Sequence, residues 1–135
     1  MKISTKGKYA LIVMTYLAIN GNDNNISVAE ISEKNNISEK YLEQILSLLS
    51  KGNLVTSFRG NLGGYKLAKP ASEITLKSIM LSTEGNMKSV SCLEGQFKCE
   101  KAADCVTVSV WAKLDDIVND FFERTTLQDI IDKKL

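Results

Sequence analysis

Apolar residues recur at helical spacing through the first twenty positions of the chain. A serine or threonine at position 4 or 5 can cap the start of this segment, and Gly21 can end it. The spacing therefore predicts a first helix over residues 5–20. Its apolar face comprises Tyr9, Ala10, Val13, Met14, Tyr16, Leu17 and Ala18.

Two shorter amphipathic segments follow, separated by a turn at Asn35-Asn36. Ser27 and Glu30 form a capping box, in which the serine hydroxyl accepts from the Glu30 amide and the carboxylate reaches back, so a helix is predicted over 28–34. Ser38 caps the next helix, which ends at Gly52. Its apolar positions point inward, and Lys40, Tyr41, Glu43, Gln44 and Ser47 are left outside. Two short helices in this arrangement are typical of a helix-turn-helix.

A glycine-rich hairpin is predicted directly after the third helix. Residues 54–59 and 65–68 favour strands, and the intervening Gly60-Asn61-Leu62-Gly63-Gly64 favours a turn. A hairpin in this position is typical of a wing, with a plain hairpin covering the core as the alternative. Arg59 lies at the base of the wing, where it can enter a minor groove, and Lys66 on the return strand is a second predicted DNA contact.

The remainder of the chain predicts a short helix, a loop and a long helix. Thr75 can cap a helix over 76–83, residues 84–104 are loop-like, and the last long helix runs from about Asp104 to Arg124, before a short helix that starts at Thr126. The long helix carries an apolar stripe too extensive for the N-terminal half to cover. We therefore expect it to pack on a second copy of the chain, with packing inside one chain as the alternative. The stripe comprises Val110, Trp111, Leu114, Ile117, Val118, Phe121 and Phe122.

These elements define a mainly α fold, with a winged helix-turn-helix domain and a long C-terminal dimerisation helix. The predicted divisions are residues 1–83 for the winged domain with its wing at about 54–68, 84–104 for a cysteine-containing loop, and 105–135 for the dimerisation and terminal helices. The start of the chain lacks the apolar region of a signal peptide, and no run is long enough for a membrane span. We expect a cytoplasmic protein that does not contact membranes.

Charge is divided unevenly between the halves of the chain. The formal net charge is +1, but residues 1–70 hold nine Lys and Arg against five Asp and Glu, whereas residues 71–135 hold eight against eleven. The N-terminal half is thus the one suited to a polyanion such as DNA.

Three cysteines, Cys92, Cys99 and Cys105, lie close together, and the chain has no histidine. An odd number of cysteines without an export signal disfavours a disulfide framework, and the clustering indicates a metal or cluster site. The thiols could bind zinc, act as a redox switch, or have no function. The sequence has no Ser/His/Asp set and no phosphate-binding glycine loop before a helix, so we do not expect an enzyme. An iron–sulfur electron carrier is an alternative of another class, but it gives the wing no role.

Several stretches resemble the Rrf2 family of bacterial transcription regulators, whose members include iron–sulfur, nitric-oxide-sensing and cysteine-metabolism regulators. The resemblance rests on MKISTKGKYAL, ISEKYLEQILSLLSKGNLV, SFRGNLGGYKLAK, a Thr-Glu-Gly, and a three-cysteine loop before a tryptophan-containing helix. It spans almost the whole chain and implies a homodimer, most readily a repressor, on a partly palindromic double-stranded DNA operator. Each third helix would lie in a major groove and each wing on a minor groove.

The resemblance places Ser38, Tyr41, Glu43 and Gln44 on the reading helix and Arg59 on the wing. Their chemistry suits that placement, because Gln44 can pair with adenine and Glu43 can accept from cytosine. Ser38 and Lys40 are better suited to phosphate.

The resemblance also implies that Cys92, Cys99 and Cys105 hold an iron–sulfur cluster, with 2Fe–2S favoured over 4Fe–4S. The chain departs from the family's iron–sulfur cluster regulator in its longer first spacing and in having Val108 where that regulator places a histidine ligand. Candidates for the fourth ligand are Ser109, a group of the partner chain, an external molecule, or one of the carboxylates Glu84, Glu94, Glu100 and Asp104. A cofactor-free or thiol-controlled regulator acting with a protein partner is the alternative within the family.

Overall fold

The computed structural model describes residues 2–22, 24–90 and 105–135, and within these ranges it is mainly helical with one small sheet. A 3-10 turn at Ala71–Glu73 follows the sheet. The predicted fold class is confirmed. The elements are α1 (Thr5–Asn20), α2 (Val28–Asn35), α3 (Glu39–Lys51), β1 (Val55–Phe58), β2 (Gly64–Leu67), α4 (Leu76–Glu84), α5 (Val108–Arg124) and α6 (Leu127–Ile131).

Serine side chains cap the first three helices. Ser4, Ser27 and Ser38 each accept a hydrogen bond from the backbone amide three residues later, at 3.1–3.2 Å. The reciprocal half of the capping box predicted at Ser27 is wrong. The Glu30 carboxylate instead accepts from the Tyr16 hydroxyl of α1 at 2.9 Å, because that donor lies within reach once α1 and α2 pack together.

The turn between α2 and α3 lies where the asparagine pair predicts it. Asn36 adopts a left-handed conformation with φ of 54°, which asparagine tolerates better than most residues. The Ser32 hydroxyl donates to the Ile37 carbonyl at 2.6 Å, and the Asn35 amide donates to the Ile31 carbonyl at 3.0 Å. These bonds fix the direction in which α3 leaves α2.

The hairpin is antiparallel, with Val55 opposite Leu67 and Phe58 opposite Gly64. β1 is two residues shorter than predicted, and β2 has the predicted length but begins and ends one residue earlier. Ile26 extends the sheet by pairing with Tyr65 through two backbone bonds of 2.8 and 2.9 Å. Gly64 is required at this crossing, because its φ is +149° and a Cβ atom there would lie 2.4 Å from the Ile26 carbonyl oxygen.

One apolar core joins both ends of the chain. The four inward residues of α3 (Leu42, Ile45, Leu46 and Leu49) are fully buried, and Leu127 of α6 belongs to the same core. Backbone bonds of 2.8 Å run from Leu76 to Thr125 and from Leu127 to Ile74. The terminal helix α6 therefore packs on the N-terminal half of the chain and is joined to the start of α4 by backbone hydrogen bonds.

The long helix differs from its prediction in where it starts. α5 begins at Val108, with Thr107 at the N-cap, so the predicted start near Asp104 is wrong. The β-branched run Val106-Thr107-Val108 has low helix propensity, which disfavours an earlier start.

The apolar stripe of α5 remains largely exposed within one chain. Val110 and Ile117 are 58% and 57% exposed, and Phe121 is 48% exposed. The residue that α5 buries most completely is a charged one, Asp115, at 6% exposure.

Candidate DNA interface and cysteine site

The outward face of α3 is polar and accessible. Lys40, Glu43 and Gln44 are exposed, as predicted from their helical positions. Together with Ser47 they line a shallow hollow that also includes Lys6 of α1. Lys6 was missed in the sequence, where it is one lysine among several near the N-terminus. Its placement adds a cation beside the predicted reading helix.

Ser38 and Tyr41 lie at the start of α3 with different surroundings. The Ser38 oxygen caps the helix by accepting from the Tyr41 amide at 3.2 Å. An accepting hydroxyl keeps its proton for donation, so this role is compatible with a phosphate contact. The Tyr41 ring is half-buried against Tyr9 of α1, edge-to-face with ring centroids 5.8 Å apart. Packing therefore holds Tyr41 more firmly than its neighbours on the outward face.

Arg59 follows directly after β1 and is exposed, at the edge of a hollow between the wing and the N-terminus of α2. Its predicted place at the base of the wing is wrong, because it lies beyond the Phe58–Gly64 pair, where the turn begins. Lys66 lies on β2 with its ammonium 5.0 Å from the Phe58 ring centroid. The wing thus presents two cations near the helix-turn-helix.

Backbone and side-chain bonds define the tip of the wing. The Gly63 amide donates to the Gly60 carbonyl at 2.9 Å, and the Asn25 side chain donates to the Leu62 carbonyl at 3.2 Å. The Leu62 side chain is 90% exposed. The loop before α2 therefore supports the tip, although the two bonded residues are 37 positions apart in the sequence.

A half-buried contact between the start of α1 and the end of α4 was not predicted. The Glu84 carboxylate accepts from the Ser4 and Gly7 amides, each at 3.1 Å, and from the Ser4 hydroxyl. An anion is favoured at a helix N-terminus, and Gly7 permits the approach because a Cβ there would lie 2.2 Å from the carboxylate oxygen. Glu84 was a candidate cluster ligand, but in this structure one of its carboxylate oxygens accepts hydrogen bonds from the start of α1.

The structure describes one of the three predicted cysteine ligands. Cys105 is half-buried and lies in the turn before α5, and its sulfur is 3.3 Å from the Thr107 hydroxyl oxygen. That hydroxyl, and after it the Thr107 and Val108 amides, lower the pKa of the Cys105 thiol. A lowered pKa favours the thiolate, which is the form that binds metals. The donor chemistry at Cys105 therefore fits an iron ligand.

Other parts of the predicted cysteine site fall outside the described residues, namely Cys92, Cys99, Glu94, Glu100 and Asp104. Ser109, another candidate fourth ligand, is exposed and donates to the Val106 carbonyl at 3.3 Å.

A helix-turn-helix whose second helix has an exposed polar face, followed by a hairpin that carries two cations, defines a winged-helix DNA-binding protein. Comparison with known proteins agrees with this class. A model described as "Rrf2: Iron-dependent Transcriptional regulator" matches residues 3–133. The chain belongs to the Rrf2 family, which consists of transcription regulators and not of enzymes.

Relatives and solved structures cover nearly the whole chain. The regulator IscR of Pectobacterium atrosepticum is 34% identical over 134 residues, which are 99% of this chain and 81% of the relative. The structure of CymR, the global cysteine regulator of B. subtilis, is 35% identical with a TM-score of 0.81 and 98% coverage of both chains. T. potens IscR is 33% identical with a TM-score of 0.77, covering 100% of this chain and 89% of that one.

None of the helices in the described part of the chain has both the length and the hydrophobicity that a membrane span requires.

Proposed function

We propose that this protein is a homodimeric transcription repressor of the bacterial cytoplasm whose affinity for a partly palindromic operator depends on an iron–sulfur cluster at Cys92, Cys99 and Cys105. The observation that carries the DNA-binding part is the exposed polar face of α3 beside the wing. The cluster part rests on the cysteine set and on the family's description as iron-dependent.

On DNA, α3 would lie in the major groove and the wing on a minor groove. Gln44 and Glu43 offer an amide and a carboxylate to base edges, whereas Lys40 and the Ser38 hydroxyl suit phosphates. Tyr41 lies on the same helix and is held by Tyr9. Arg59 and Lys66 supply the charge of the wing, with Arg59 suited to the more negative potential of a narrow minor groove.

A second copy would cover the apolar stripe of α5. Exposed Val110, Ile117 and Phe121 on one face of a 17-residue helix form the kind of continuous apolar surface that marks an interface. A two-fold pairing of α5 places two α3 helices on one duplex, as a palindromic site requires.

Cys105, the last of the three cysteines, lies three residues before the start of α5. A 2Fe–2S cluster, favoured here over 4Fe–4S, would supply a centre sensitive to iron and oxidants when bound. Its cysteine ligands need to be thiolates, and the Thr107 hydroxyl favours that form at Cys105. Movement of Cys105 would be transmitted to the start of the helix that spaces the two winged domains.

A second candidate function is a thiol-controlled or cofactor-free repressor acting with a protein partner. The likeness to CymR, a global cysteine regulator, favours it. In that case the lowered pKa at Cys105 would serve oxidation of the thiol instead of metal binding.

Anaerobic purification with iron and sulfide analysis distinguishes the two candidates. For the wild type we expect stoichiometric iron and sulfide and absorbance in the visible range. Cys92→Ala, Cys99→Ala and Cys105→Ala should each lose the iron, the sulfide and the absorbance, while the winged domain stays folded. Wild-type cluster content in all three variants, or zinc alone in the wild type, would show the cluster assignment to be wrong.

Binding to duplex DNA is tested separately, with the protein in its apo and cluster-bound forms. The logarithm of the binding constant should fall with the logarithm of salt concentration with a slope steeper than about −3, since each phosphate contact contributes roughly −0.9. A slope near zero would contradict the proposed interface.

A further inference from the structure

A cavity of about 130 Å³ lies where α4 meets α5, apart from the α3 and wing surfaces. Its wall combines apolar side chains of both helices, among them Met80 and Phe122, with polar groups from the segment after α4. A cavity near 150 Å³ in another protein accommodates benzene, so this space suits a molecule of about six heavy atoms.

Asp115 of α5 lines this cavity and is 6% exposed. Its Oδ1 accepts from the Ser89 amide at 2.9 Å. Its Oδ2 is buried and has no hydrogen-bond partner among the described residues. A buried carboxylate oxygen without a donor is unfavourable, because the group has lost its hydration without replacement. The arrangement is therefore incomplete without a donor near Asp115.

The charged side chains around the cavity indicate which ionic groups a ligand that donates to Asp115 should carry. Lys77 lines the wall but is already paired with Glu123. Lys88 also lines the wall and is exposed. A ligand with a protonated amine for Asp115 and a carboxylate for Lys88 matches both charges.

From this geometry we propose that the cavity between α4 and α5 binds a small zwitterionic amino acid, with its ammonium on Asp115 and its carboxylate toward Lys88. Met80 and Phe122 would contact the apolar body of the ligand. Pockets between packed structural units commonly bind small ligands, and a ligand here would contact the winged half and the long helix together.

Asp115 is better assigned to this cavity than to Cys105. It lies seven residues into α5 from Val108, about 10 Å along the axis at 1.5 Å per residue. Cys105 lies before the first turn of α5, whereas Asp115 lies about two turns into the helix, so the two residues are separated along the helix axis.

Titration calorimetry and thermal unfolding of the full-length protein test the proposal with three matched probes. L-Alanine carries both charged groups, ethylamine lacks the carboxylate, and propionate lacks the amine. We expect L-alanine to bind and to raise the Tm, ethylamine to bind more weakly, and propionate to bind at least about tenfold more weakly, since it cannot donate to Asp115.

Asp115→Asn is the decisive variant, because Asn keeps an oxygen for the Ser89 amide but replaces Oδ2 with a donor. It should weaken L-alanine binding about tenfold or more. Asp116→Asn, the same change at an exposed neighbour, should leave binding unchanged. Lys88→Gln should remove the preference for L-alanine over ethylamine.

Failure of L-alanine to bind the wild type, equal binding of propionate, or unchanged L-alanine binding in Asp115→Asn would each overturn the proposal. Heat from potassium chloride alone that Asp115→Asn abolishes would assign the oxygen to an inorganic cation and would also overturn it.

Discussion

The helices α3 and α5 are both amphipathic, but they use their two faces in opposite ways. α3 fully buries four apolar residues, Leu42, Ile45, Leu46 and Leu49, and exposes a polar face. α5 exposes much of its apolar stripe and buries an aspartate. The contrast indicates that α3 is complete within one chain and can present its outer face to DNA, whereas α5 has an apolar surface that requires a partner.

The largest expected effect is loss of assembly when charge is placed on the α5 stripe. Leu114→Glu together with Phe121→Glu should give a monomer in sedimentation velocity, because a dimer would have to bury four carboxylates. The residues are 40% and 48% exposed, so the change adds little strain within one chain. Glu73→Lys, an exposed change outside α5, is the control. A dimer of unaltered affinity would place the interface elsewhere.

Equal truncations in the two helices should separate folding from assembly. Leu46→Ala on α3 removes a fully buried side chain and should lower the free energy of unfolding by about 2–5 kcal/mol in urea denaturation. Leu114→Ala should change monomer stability much less and should mainly weaken association. Similar losses of monomer stability in Leu46→Ala and Leu114→Ala would contradict the view that α5, unlike α3, requires a partner.

Base readout is tested by Gln44→Ala on the outward face of α3. Binding should weaken by about 1–3 kcal/mol at the one base pair that the amide contacts, with relaxed preference there. Competition assays on operators substituted at single positions measure this change. Lys40→Ala is the matched control and should weaken all operators alike, since a phosphate contact carries no sequence information. Unchanged base preferences in Gln44→Ala would mean that Gln44 does not read bases.

Arg59→Ala should have a more limited, sequence-dependent effect. Binding should weaken more on operators with a narrow A·T-rich minor groove than on G·C-rich controls, because the potential in the narrow groove is more negative. Equal losses on both, with a salt slope shallower by about 0.9 per contact, would show that Arg59 contacts only phosphate.

The smallest expected effect is at the capping box of α6. The Thr126 amide, and after it the Thr126 hydroxyl, lower the pKa of Asp129. Because the folded pKa lies below the unfolded value, this carboxylate stabilises the fold above about pH 4. The contribution is lost as pH falls through the folded pKa.

Asp129→Asn should therefore lower the Tm slightly at neutral pH and converge with the wild type in acid. Asp132→Asn, which lies just after α6 and outside the capping box, is the control. A difference between Asp129→Asn and wild type that persists unchanged into acid would argue against the ionised cap.

Local sequence determined most of the secondary structure. Ser4, Ser27, Ser38 and Thr75 begin their helices because a hydroxyl beside the first turn satisfies an amide wherever that turn lies in the fold. Apolar spacing likewise identified the buried side of α3, since helical periodicity is a property of adjacent turns. The order of helix-turn-helix and wing was sufficient to predict the fold class.

Tertiary structure decided the contacts between distant residues. The Glu84 carboxylate reaches the start of α1, the Glu30 carboxylate turns to Tyr16, and Lys6 lies beside the reading helix. The burial of Asp115 reverses what its residue type suggests. Each outcome depends on which helix ends and faces meet after packing, and a pattern read along one segment holds no information about the segment that will lie against it.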